Sequence, residues 1–83
     1  MSVQYVLIGT QDASQDNLRT IRKRLHGRRL KPGVIVVDGQ SDHPLLLKIG
    51  FVRSPQLAVL NNGNVERRIY GVENILKEIT HET

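Results

Sequence analysis

Apolar and polar positions along the chain fall into short blocks whose period changes from two to that of a helix and back. Val3, Tyr5 and Leu7 alternate with Gln4 and Val6 before Ile8 and Gly9. So apolar a strand predicts burial on both faces and a central place in a sheet. Thr10 to Asp12 read as a turn, and Asp12 or Ser14 can accept the free amide hydrogens of a following helix as its N-cap. Ser14, Leu18, Ile21 and Leu25 then recur at i, i+4, i+7 and i+11, which predicts one apolar stripe along a helix of about thirteen residues. Arg19, Lys23 and His26 point away from that stripe. Gly27 suits a left-handed helix end, with cations favourably placed near the negative end of the helix dipole.

Lys31-Pro32-Gly33 turn into Val34-Ile35-Val36-Val37, a β-branched run typical of a strand covered by helices on both faces. A second helix follows, capped by Ser41 or Asp42, with Pro44 in its first turn and Leu45, Leu46, Leu47 and Ile49 as its packing surface. Gly50 ends it. Leu57 to Leu60 and Val65 to Tyr70 flank Asn61-Asn62-Gly63-Asn64 and read as a hairpin, because Asn-Gly tolerates the positive φ angles of a type I′ turn. Val72, Ile75, Leu76 and Ile79 recur at helical spacing and predict a last helix that frays into Thr80 to Thr83. The resulting order is βαβαββα, an α/β fold with a four-stranded mixed sheet and helices on both faces. The rival order βαββαβ conflicts with the helix signal at Pro44 to Ile49.

The length, 83 residues, implies one domain spanning 1–83. No apolar run approaches the ~20 residues of a membrane helix, and the first residues lack a signal-peptide pattern, so we expect a soluble, cytoplasmic protein. The formal net charge is +4, but it is concentrated. Arg19, Arg22, Lys23, Arg24, Arg28, Arg29 and Lys31 meet no acid between residues 19 and 31, and a cluster this dense attracts phosphates, acidic proteins or an anionic surface. A solvated helix face is the plainer reading of the same residues. Cysteine is absent, which excludes disulfides, thiolate metal sites and every thiol-dependent reaction. His26, His43 and His81 lack metal-ligand spacing, and no phosphate-loop, hydrolase-elbow or dinucleotide motif occurs, so neither metal nor cofactor is predicted.

The C-terminal half carries a resemblance. Ile49-Gly50-Phe51-Val52-Arg53-Ser54-Pro55-Gln56, then Leu57 to Leu60, then Asn62-Gly63-Asn64-Val65 and finally Gly71 resemble the thioredoxin and glutaredoxin family. Thioredoxins carry a Tyr-Gly-Ile-Arg-Gly-Ile-Pro-Thr-like stretch, an apolar strand, Asn-Gly-Glu-Val and a later Gly in that order. The resemblance implies a cis Ser54-Pro55 bond whose preceding backbone pairs with an extended peptide or glutathione, a contact that depends little on partner sequence. It also implies that the family's Cys-x-x-Cys positions fall on Asp12 and Gln15, with Ala13 and Ser14 between them, or one residue later on Ala13 and Asp16. None of these residues exchanges disulfides. Glutathione transferases share the fold and can use a hydroxyl near the first helix. Ser14 would have to serve, yet 83 residues cannot contain the helical second domain those enzymes use, and the family's Glu-Ser pair has become Glu73-Asn74.

The reading that results is a redox-inactive thioredoxin-like module, not an enzyme, that binds another protein. Its groove would lie between Asp12-Ala13-Ser14-Gln15, Ser54-Pro55 and Gly71, with the basic helix as a second surface. The alternative is a small basic protein that binds nucleic acid or another polyanion weakly through residues 19–31. Tyr5, Phe51 and Tyr70 are remote from that run in sequence, so base stacking is not expected of it. Glu66, Arg67 and Arg68 usually protect a strand edge from pairing, which favours a monomer.

Overall fold

The computed structural model describes residues 3–10, 17–50 and 55–80. In chain order the elements are β1 (Val3–Gly9), α1 (Asn17–Leu25), β2 (Val34–Asp38), α2 (Pro44–Ile49), β3 (Gln56–Asn61), β4 (Asn64–Tyr70) and α3 (Val72–Ile79). The four strands form one mixed sheet in the order β2-β1-β3-β4, with β1 parallel to β2 and antiparallel to β3, and β3 antiparallel to β4. β1 is therefore interior, as its apolar pattern requires. Its side chains supply both faces: Leu7 packs with Leu18 and Ile21 of α1 and Ile75, Leu76 and Ile79 of α3, while Val6 and Ile8 pack with Val37, Ala58, Leu60 and Ile49 of α2. Each fully buried aliphatic side chain contributes about 1.5–3 kcal/mol relative to its exposed state.

The hairpin forms as its sequence requires, with Asn62 at φ 53° and Gly63 at φ 84°. A register shift between Val59 and Leu60 marks a bulge in the β3–β4 pair. Gly33 is constrained twice, by φ 83° and by the Val3 carbonyl oxygen, which a β-carbon there would meet at 2.7 Å.

Several expectations are corrected. β2 is an edge strand whose cover is incomplete: Val34 packs on one face and Ile35 and Val37 on the other, but Val36 is 44% exposed. α2 is capped by neither Ser41 nor Asp42. The cap is His43, immediately before the helix start at Pro44, and its Nδ1 accepts the Leu45 amide at 3.2 Å; Ser41 Oγ donates to the Asp38 carbonyl and accepts the His43 amide instead. Leu47 does not pack. It is 93% exposed, since a six-residue helix cannot aim three consecutive leucines at one surface. Thr80 does not fray either. It is buried, forms an antiparallel bridge with Leu30, and donates its hydroxyl to the Leu76 carbonyl. Residues 81–83, and with them the rest of the expected frayed end, lie outside the described residues.

Candidate functional site

Of the expected groove residues, Asp12, Ala13, Ser14, Gln15 and Ser54 lie outside the described residues, as do the Ser54–Pro55 bond and Phe51. Pro55 and Gly71 are described, and the sheet register brings them together. Ile8 pairs with Gln56, and Gln56 pairs with Tyr70. Continuing one residue along these antiparallel ladders sets Gly9 opposite Pro55 and Pro55 opposite Gly71. The end of β1, from which the chain runs toward residues 11–16, thus shares one sheet end with the half-buried Pro55 and the exposed Gly71. Gly71 holds φ 89° and ψ 140°, a conformation essentially confined to glycine, and a β-carbon there would meet only Asn74 Nδ2, at 3.8 Å.

Beneath Pro55, two polar side chains organise the backbone. Gln56 is 0% exposed; its Nε2 donates to the Gly50 carbonyl at 3.2 Å, while its Oε1 is buried and accepts no hydrogen bond from the described residues. Arg68 reaches from β4 across the sheet face to the end of α2, donating Nη1 to the Gly50 carbonyl at 3.1 Å and Nη2 to the Ile49 carbonyl. These bonds satisfy carbonyls left open at the helix C-terminus, where Gly50 turns at φ 79°. Sequence reasoning read Arg68 only as edge protection. The overlooked signal is its pairing opposite Ala58, a small residue that leaves room for the guanidinium to cross the face.

The basic run is less uniform than its sequence. Arg24 pairs with Glu73 of α3 at 2.7 Å, and Arg28 donates to Thr80 Oγ1 at 3.2 Å. Lys31 Nζ stands 5.6 Å from the centroid of the Tyr5 ring, so an aromatic does lie beside the run, brought there by the β1–β2 pairing and already covered by a cation. Arg19 is likewise engaged. Arg22, Lys23 and Arg29 are exposed and have no ion-pair partner among the described residues.

The chemistry these groups offer is hydrogen bonding and charge. No three His, Asp or Glu side chains gather among the described residues, and no described helix is long and apolar enough to cross a membrane. In comparisons with known proteins, no family model, no curated protein and no solved structure matches the chain.

Proposed function

We propose that the chain is a redox-inactive, thioredoxin-like module that binds an extended segment of another protein at the sheet end formed by Gly9, Pro55 and Gly71. The observation that carries this reading is the register that places those three residues side by side. Strand order and helix placement agree with it: β1 is interior, α1 and α3 share one face, and α2 lies on the other. Backbone groups at such an end give affinity through main-chain pairing, while the absence of cysteine leaves recognition without thiol exchange. In binding to an isotope-labelled chain, amide shifts should centre on Gly9, Thr10, Gln56 and Gly71. Pro55→Ala should weaken capture about tenfold, a loss of about 1.4 kcal/mol, with Arg22→Glu plus Arg29→Glu leaving it intact. The opposite pattern refutes the groove.

A second reading, polyanion binding through the basic run, is favoured by the exposure of Arg22, Lys23 and Arg29. Salt dependence tests it quantitatively. If those three cations alone meet phosphates, affinity for duplex DNA should fall about 40-fold between ~50 and ~200 mM salt. If all seven cations of the run took part, the fall would be several thousand-fold. Titration at several salt concentrations therefore counts the cations involved, and a flat response removes the reading.

A further inference from the structure

We infer that the β2 edge is a docking surface for a second copy of this chain, joined to its own β2 in antiparallel register about a two-fold axis at Val36. The inference is independent of the Pro55 groove, which lies at the opposite side of β1.

The sheet has two edges, and they are built differently. On β4, Arg67 folds onto Glu78 of α3 while Arg68 folds onto the end of α2, so charged arms leave that edge toward both faces. Such charges oppose pairing with another chain. β2 has none of this protection. Its sequence from Val34 to Val37 is wholly aliphatic, with Asp38 its only charge.

Among the described residues, most of the outward hydrogen-bonding groups on that edge are open. The Tyr5 amide donates to the Gly33 carbonyl at 2.9 Å, and the Gly39 amide to the Gly9 carbonyl at 2.7 Å. In a parallel ladder the groups facing the partner alternate, so Gly33, Ile35, Val37 and Gly39 turn toward β1 while Val34, Val36 and Asp38 turn outward. The Asp38 carbonyl is taken by Ser41. The remaining outward groups are self-complementary about Val36: its amide and carbonyl bond reciprocally to those of the partner's Val36, and the Asp38 amide reaches the partner's Val34 carbonyl.

Charge selects the occupant and the direction. The chain enters β2 past exposed Arg29 and half-buried Lys31 and leaves it at Asp38 and exposed Asp42. Antiparallel pairing of two copies sets the basic end of one against the acidic end of the other, at both ends of the joint. Parallel pairing would oppose like charges. Apolar exposure lies partly on the same side: of the four exposed large apolar side chains among the described residues, Val36 is in β2 and Val3 and Leu30 flank its start, while Leu47 is on α2.

Sedimentation equilibrium of the full chain tests the inference. Between ~1 µM and ~1 mM the mass should rise from 9.4 kDa to a limit of twice that value, and less steeply as salt is raised. Val36→Lys sets like charges across the axis, and Val36→Pro removes an outward donor that the monomer does not use. Each should abolish association, while Glu66→Lys on β4 should leave it unchanged. Hydrogen exchange on the unmodified chain supplies a check that no misfolded variant can confuse: the Val36 and Asp38 amides should become protected only at high concentration. A fixed mass of 9.4 kDa, open-ended growth beyond the dimer, or association with these amides unprotected would each overturn the inference. A fixed mass would leave the edge to an extended segment of another protein.

Discussion

Arg68 shows how one side chain can hold a connection that no regular element holds. Its guanidinium satisfies two carbonyls at the end of α2, and Gln56 shares one of them, so that helix end is tied to both β3 and β4. Arg68→Ala deletes the charged donor and leaves the Ile49 carbonyl without that partner. The expected cost is about 1–2 kcal/mol, read as a lowered denaturant midpoint at unchanged slope. None of this is legible in the sequence, where an arginine between Arg67 and Ile69 reads as solvent-facing. The same limit applies to the basic run. Its density is visible, but which cations are consumed depends on Glu73, Thr80 and Tyr5, and only the fold brings those three to it.

At the level of elements, long periodic segments are legible and short ones are not. The stripe Leu18, Ile21, Leu25 and the stripe Val72, Ile75, Leu76, Ile79 define their buried faces because each spans two turns or more. α2 is six residues long, too short for a period to distinguish its packed side from its open one. The difference is measurable in paired variants. Leu47→Lys should change stability by no more than about 0.5 kcal/mol, whereas Ile49→Ala, at a buried position against Val6 and Ile8, should cost about 2–4 kcal/mol. β2 poses a related ambiguity. Four consecutive β-branched residues suit a central strand and an edge strand equally, and only the sheet order, in which β2 pairs with β1 alone among the described strands, decides between them.

For the whole molecule, the order of elements follows from periodicity and turn chemistry, while the assembly of the candidate site follows from register. Pro55, Gly71 and Gly9 are far apart in the chain and are brought together because β1, β3 and β4 end in step. A further assembly of this kind lies at the other side of the sheet. The segment from Arg28 to Gly33 is held by the Leu30–Thr80 bridge, by the Lys31 amide on the Ile79 carbonyl, by Arg28 on Thr80 and by Gly33 against β1. Its composition makes it a dense run of trypsin targets, yet its backbone is fastened to the C-terminal helix and the central strand. Cleavage after Arg28 and Arg29 should therefore track global unfolding rather than local opening, with rates that fall in step with added stabilising osmolyte, while Pro32 blocks cleavage after Lys31. Tethered in this way, the connection that looks most vulnerable to a protease is guarded by the last turn of the last helix.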